Sequence, residues 1–132
     1  MDSRQDLRPT EAEIEILKVL WEHGPATVRD IHEALVARGH RTGYTTSLKL
    51  LQLMHGKGLV LRDESQRAHR FAAAVSREAT ERAFVGDLIH KLFDGSAARL
   101  VLQALGGERP ASTGELAEIR RLLSEMEKEP RA

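Results

Sequence analysis

Residues 42–71 read TGYTTSLKLLQLMHGKGLVLRDESQRAHRF, and this stretch decides the fold. Its first part has the length and composition of a short helix, predicted from Tyr44 to His55, which the glycines at 56 and 58 end. A short apolar run follows at 59–61, then a charged tip at 62–67 and a basic return at 68–71 that ends in Phe71, and together they predict a β-hairpin. A helix followed directly by a hairpin is typical of a recognition helix and its β-wing.

The residues before this stretch supply two more helices. Thr10 and Glu13 have the spacing of a capping box, and apolar residues then recur with helical periodicity up to Gly24. Thr27 is placed to cap a second helix, which Gly39 ends. Three short helices and a hairpin predict a winged helix-turn-helix, so we expect residues 1–74 to form a DNA-binding domain.

Residues 75–132 are expected to form a separate helical domain. Ser76, Ser96 and Ser112 can each cap a helix, and glycine-bearing breaks separate the three helices. The segment is short for an independent core, yet its helices carry wide apolar faces, which favours coverage by a second copy of the chain. The alternative is that the helices fold back on the winged domain. The predicted dimerisation residues are Phe84, Leu88, Leu92, Leu100, Leu102, Leu116, Ile119, Leu123 and Met126. The expected class is therefore mainly α with a small β-wing: a winged helix-turn-helix N-terminal domain and a three-helix C-terminal dimerisation domain.

Charge is distributed unevenly along a chain whose net charge is zero. Residues 38–70 hold seven basic and two acidic residues, whereas residues 1–37 hold four basic and eight acidic residues. The local field matters more than the total when a protein meets a phosphate backbone, so this pattern favours nucleic-acid binding by the helix and wing. A solvated charged face would give the same pattern.

Several classes of function find no support in the sequence. The chain has no cysteine, and its six histidines lack the spacing of metal ligands, so we expect no metal or other cofactor. It has no phosphate-binding glycine loop and no nucleophile elbow, and we therefore expect no enzyme activity. No apolar run has the length of a membrane span, and the N-terminal residues are polar, which favours a cytoplasmic protein.

The candidates for DNA contact fall into two groups. On the predicted third helix, Thr45, Thr46, Lys49 and Gln52 lie opposite the apolar face and suit major-groove reading, because Gln can pair with adenine and Thr can donate to a base or phosphate. The second group lies at helix starts and on the wing, where side chains and free amides can hold phosphates: Thr27, Arg29, Arg41, Thr42, Tyr44, Arg67, His69 and Arg70.

Two leucines of the third helix stand where polar groups would be expected. Leu48 and Leu53 can contact thymine methyl groups or can be partly buried. The sequence leaves both possibilities open for each of them.

With these residues placed, the chain resembles the penicillinase repressor family. The resemblance rests on an ordered set of short motifs that covers nearly the whole chain: LRPTEAE at 7–13, ILKVLW at 16–21, PATVRDI at 25–31, YTT at 44–46, LLQ at 50–52, KGLV at 57–60, LFDGS at 92–96 and LVL at 100–102. It implies a winged-helix domain, a helical dimerisation domain, and binding as a homodimer to palindromic double-stranded promoter DNA.

The resemblance also implies a route of induction. In this family, a signal from a membrane sensor metalloprotease typically leads to cleavage of the repressor within its dimerisation domain. The family's scissile Asn-Phe pair corresponds to Gln103-Ala104, where both residues differ, and Leu53 stands where the family usually has an arginine. The implied partners are therefore promoter DNA, a second copy of the chain and a protease. A winged-helix module that binds proteins, without sequence-specific DNA binding, is the alternative.

Overall fold

The computed structural model describes residues 8–128, and this part of the chain contains six helices and three strands. Their bounds are α1 Glu11–His23, β1 Ala26–Thr27, α2 Val28–Ala37, α3 Tyr44–Lys57, β2 Val60–Asp63, β3 Arg70–Ala73, α4 Arg77–Leu92, α5 Ala97–Leu105 and α6 Thr113–Lys128. The predicted class, a mainly helical winged helix-turn-helix followed by three further helices, is confirmed.

The chain divides into two units, the first ending at Ala83 and the second beginning at Phe84. The predicted assignment of residues 1–74 to DNA binding and 75–132 to dimerisation stays a prediction, since it concerns function. Residues 1–7 and 129–132, the outer ends of those predicted domains, lie outside the described residues.

The first two helices begin at side-chain caps that the sequence predicts. Glu13 N–H donates to Thr10 Oγ1 at 3.3 Å, and Thr10 N–H donates to Glu13 Oε1 at 2.9 Å, which completes a capping box for α1. Asp30 N–H donates to Thr27 Oγ1 at 3.2 Å and caps α2. These bonds satisfy backbone donors that a helix start leaves without an intrahelical partner.

Helix α3 extends two residues beyond its predicted end and stops at Gly58, which has a left-handed φ of 77°. Gly58 N–H donates to His55 O, and Leu59 N–H donates to Met54 O at 2.9 Å. Glycine adopts the left-handed conformation without the steric strain that a Cβ atom would cause, and at Gly58 this conformation turns the chain from the helix into the wing.

The wing strands begin later than the sequence indicated. Strand β2 starts at residue 60 rather than 59, because Leu59 N–H is held by the end of α3, and β3 starts at 70 rather than 68. The strands pair antiparallel in the order β1-β3-β2, with Phe71 of β3 opposite both Ala26 and Arg62. The two-residue strand β1 was not predicted. It places the cap of α2 beside the wing.

Helices α1 to α3 and the sheet enclose one apolar core in the first unit. Its buried residues are Ile16, Leu17, Val19, Leu20, Ala26, Ile31, Leu35, Leu51, Met54, Leu59, Val60 and Phe71. Trp21 packs half-buried on this core and donates its indole N–H to Val75 O at 2.9 Å, while the Arg77 guanidinium lies 5.4 Å from its ring centroid. The tryptophan thus secures the residues that precede α4 to the winged unit.

The second unit consists of the end of α4 together with α5 and α6, and these helices expose apolar side chains. Ser96 caps α5 through Arg99 N–H, and Ser112 with Glu115 forms the capping box of α6. Helices α4, α5 and α6 contain no fully buried residue. Among the residues described, no helix has the combination of length and hydropathy that crossing a bilayer requires.

Candidate nucleic-acid interface

Helix α3 separates its side chains into a buried face and an exposed face, as its 3.6-residue period requires. Ser47, Leu51 and Met54 are buried against the core, and Ser47 Oγ lies 3.4 Å from His32 Nδ1 of α2. The predicted reading residues are on the opposite side and exposed: Thr45, Thr46, Lys49 and Gln52. The helix therefore presents a row of hydrogen-bonding groups to solvent on a rigid backbone.

A groove of about 640 Å³ lies between α3, the start of α2 and the wing, and we call it the wing groove. Six of the predicted DNA-contact residues line it: Thr27, Arg29, Tyr44, Gln52, Arg67 and His69. Along the sequence these residues belong to three separate elements. The short strand β1 and the wing loop bring them to one surface.

The remaining candidates lie outside the wing groove. Arg41 and Thr42 belong to the turn before α3, and Thr45, Thr46 and Lys49 occupy its outer face. Arg70 lies in β3, opposite Thr27 and Asp63 in the strand register, and its Nε donates to Gln66 Oε1 at 3.4 Å. The structure therefore gives one concave cluster and one convex helical face.

Five further residues line the wing groove: Leu48, for which the sequence left a DNA contact open, and four that were not predicted as contacts, namely Val28, Arg62, Ala68 and Phe71. Arg62 was assigned to the charged tip, whereas it lies in β2 opposite Phe71. The predicted strand, 59–61, ended one residue before Arg62. Arg62 was therefore not expected to pair with the other wing strand and to lie on this surface. The other four are apolar and form the floor between the charged side chains.

Basic groups outnumber acidic groups around the wing groove. Arg29, Arg62, Arg67 and His69 line it, and among residues 8–128 no carboxylate does. Arg62 pairs with Glu64 at 2.6 Å on the wing. Ser65 donates its backbone N–H to Asp63 Oδ1 at 2.9 Å, which holds the pKa of Asp63 below its usual range and keeps this wing carboxylate ionised. The acidic groups thus lie beside the wing tip, and the groove itself carries positive charge.

A basic groove beside exposed amide and hydroxyl groups suits a polyanion whose edge carries hydrogen-bonding groups. Cationic side chains in a groove can follow a phosphate backbone, while amide and hydroxyl groups on a neighbouring helix can form directional bonds to bases. Within residues 8–128, no cluster of three or more His, Asp or Glu side chains could hold a metal ion.

The second unit exposes several of the apolar residues predicted for dimerisation. Leu102 is 72% exposed, Leu92 65% and Met126 61%, and Leu88 and Leu123 are also exposed. Phe84, Leu100, Leu116 and Ile119 are half-buried. Gln103 and Ala104, which correspond to the family's scissile pair, lie exposed within α5.

Comparison with known proteins agrees with these features. The family model described as penicillinase repressor matches residues 9–125. The transcriptional regulators BlaI of two Mycobacterium tuberculosis strains, CDC 1551 / Oshkosh and ATCC 25618 / H37Rv, are each 32% identical over 117 residues, which cover 85% of this chain and 80% of the relative. A match over nearly the full length includes both the winged unit and the helical tail. The chain therefore belongs to the penicillinase repressor family.

Proposed function

We propose that this chain is a transcriptional repressor that binds palindromic promoter DNA as a homodimer in the cytoplasm. The wing groove carries the proposal, because it combines basic side chains of α2 and the wing with Gln52 of α3. Promoter occupancy by such a dimer blocks transcription without any chemical step, so the function needs no catalytic residue and no cofactor.

In this proposal α3 enters the major groove and the wing contacts the flanking backbone. Thr46, Lys49 and Gln52 are exposed on the outer face of α3 and meet base edges. Arg29, Arg67 and His69 hold the phosphates of the strand that passes through the wing groove. Arg41 and Thr42, which precede α3, and Arg70 of β3 add phosphate contacts.

Dimerisation supplies the affinity that one small domain lacks. The apolar side chains that α4, α5 and α6 expose would be covered by the same helices of a second copy. Linking two winged-helix domains in one dimer makes the second binding event intramolecular and raises the affinity for DNA by about 10² to 10⁴. Cutting or loosening the tail would forfeit this gain, and that provides a route to derepression.

A protease is the partner through which such relief would work. Gln103 and Ala104 are solvent-exposed but helical, and proteases cleave extended backbone, so α5 would have to open locally before cleavage. The protease of this proposal is a membrane sensor metalloprotease or another protease that recognises the opened α5.

The test is selection of bound fragments from random duplex DNA by the purified full chain. We expect enrichment of a palindrome whose half-sites lie about one or two helical turns apart, and an affinity for it that falls steeply as salt rises. Failure to enrich any sequence, together with salt-independent binding, would favour a winged-helix module that binds proteins.

A further inference from the structure

We infer that Leu48 makes the repressor selective for a thymine methyl group about two base pairs from the adenine that Gln52 reads. The inference rests on the proposed function and adds to it an apolar specificity contact. The occupant of this part of the wing groove is thus the major-groove edge of a T·A base pair.

The position of Leu48 in α3 supports this role. Tyr44, Leu48 and Gln52 follow one another at intervals of four residues, so they form one stripe along the helix, and all three line the wing groove. Leu48 is only half-buried. The half-buried apolar residues of the described chain that pack on the core include its neighbour Leu50 but not Leu48. Leu48 therefore faces the surface that the DNA would occupy.

Leu53, the other leucine that the sequence left undecided, lies elsewhere. It is 51% exposed and does not line the wing groove. On the helix it is five residues, or about 140° of rotation, from Leu48. The structure thus separates two leucines that the sequence could not distinguish.

The chemistry of the major groove matches an apolar group at this point. The C5-methyl of thymine is the methyl group that base pairs display there, beside hydrogen-bond donors and acceptors. A leucine gains nothing from a phosphate, but it gains contact area from a methyl group. The basic side chains that line the same groove, Arg29 and Arg67, supply the attraction that brings the DNA to it.

The spacing of Leu48 and Gln52 sets where this thymine lies. Four residues of helix span about 6 Å, and base pairs are stacked about 3.4 Å apart. The two side chains consequently reach positions about two base pairs apart. Gln52→Ala should relax the base preference at one position of each half-site. The thymine whose methyl group Leu48 contacts should lie about two base pairs from that position.

Replacing thymine by deoxyuridine removes this methyl and changes nothing else in base pairing. In the palindrome selected by the full chain, each thymine is replaced in turn, and affinities are compared for the wild type, Leu48→Ala and the matched control Leu53→Ala. We expect one thymine in each half-site at which the wild type and Leu53→Ala lose about fourfold in affinity, the equivalent of one buried methyl group. Leu48→Ala should bind the two probes equally at that position.

The measurement is a ratio of two probes for one protein, so a lower stability of Leu48→Ala does not affect it. If Leu48→Ala keeps the wild-type ratio, or if no deoxyuridine weakens wild-type binding, the inference is wrong although the repressor function stands. Failure to select any palindrome would overturn the proposed function, and this inference with it.

Discussion

Lys57 Nζ lies 2.6 Å from Glu13 Oε1 and joins the last turn of α3 to the first turn of α1. The Glu13 side chain is only 1% exposed and that of Lys57 21% exposed. Glu13 also accepts Thr10 N–H, and Lys57 also donates to Arg8 O at 3.3 Å. One buried carboxylate therefore serves both the capping box of α1 and the position of the recognition helix.

Removing the ammonium group should destabilise the winged unit. Lys57→Met retains a side chain of similar length but removes the ammonium group beside the buried Glu13 carboxylate, and a buried charge without its counter-ion is costly. We expect a loss of about 2–3 kcal/mol in the free energy of unfolding, below the full range for buried pairs because Lys57 is partly solvated. Urea denaturation followed by circular dichroism measures it.

Two variants make this interpretation specific. Lys18→Met breaks a pair with Glu15 at 3.4 Å in the same unit, whose side chains are 36% and 29% exposed, and should cost no more than about 0.5 kcal/mol. Adding Glu13→Gln to Lys57→Met removes the uncompensated charge and should recover part of the loss. Equal effects of Lys57→Met and Lys18→Met would show that the buried pair adds nothing.

The parts of the fold that local sequence determines were predictable. The caps at Thr10, Thr27 and Ser112 depend on residues three positions apart, and their hydrogen bonds are present. The wing register depends on a bond between Leu59 N–H and the end of α3, and β1 depends on pairing with Phe71 and Arg70. The pairing of β1 with β3 is non-local, and a strand of two residues is too short to carry a periodic signal.

In the candidate interface, too, the features that depend on local sequence were predictable and those that depend on strand pairing were not. Helical period alone indicated that Gln52 would lie opposite the apolar face of the third helix, and its side chain is exposed. The wing groove was not predictable, because its wall is a loop whose path follows from the strand register. Which of the two leucines of α3 lines the groove likewise depends on the position of the wing. Leu48 lines it and Leu53 does not.

Two substitutions in the wing groove should affect DNA binding in different ways. Gln52→Ala removes an amide that can pair with adenine, so discrimination at one position of each half-site should fall by about 1–3 kcal/mol. Arg67→Ala removes a phosphate contact, so binding to specific and random DNA should weaken alike, and the slope of log K against log salt should decrease by about 1 per contact. Mobility shifts at several salt concentrations measure both effects.

Arg99→Ala is the matched control for Arg67→Ala. Arg99 is an exposed arginine of α5 that pairs with Asp94 at 3.5 Å, far along the chain from the wing groove. It should leave both the affinity and the salt slope unchanged. A wild-type slope for Arg67→Ala, or a reduced slope for Arg99→Ala, would contradict the assignment of the groove to phosphates.

A charge on the exposed side of α5 should prevent assembly. Leu102→Lys places an ammonium group at the most exposed of the large apolar residues described, and burying it in a dimer interface would be unfavourable. We expect monomers in sedimentation at micromolar concentration and a loss of about 10² or more in operator affinity.

Val36→Lys is the corresponding control for the dimer. Val36 is 52% exposed on α2 of the first unit, so the same charge at this position should leave a dimer intact. A dimeric Leu102→Lys variant with unchanged operator affinity would exclude this side of α5 from the interface.

The capping box of α6 should make the stability of the tail depend on pH. Ser112 donates its backbone N–H to Glu115 Oε1 at 2.9 Å, and this bond is the main cause that lowers the pKa of Glu115 in the folded chain. The second cause is the hydrogen bond between Glu115 and the side chain of Ser112. A lowered pKa means that the bond stabilises the fold above the ordinary glutamate pKa, and the benefit disappears as the pH falls through the folded value.

Glu115→Gln removes this titration, so the wild type should be more stable than the variant near pH 7, and the difference should shrink below about pH 4. Thermal unfolding followed by circular dichroism over this range measures the difference. Glu118→Gln makes the same change of charge in the same helix, at a carboxylate that pairs with Arg121 at 3.8 Å rather than with a helix cap. Its effect should be smaller near neutral pH, because an exposed ion pair adds little. A difference between wild type and Glu115→Gln that is as large at pH 3 as at about pH 7 would show that the ionised carboxylate does not hold the cap.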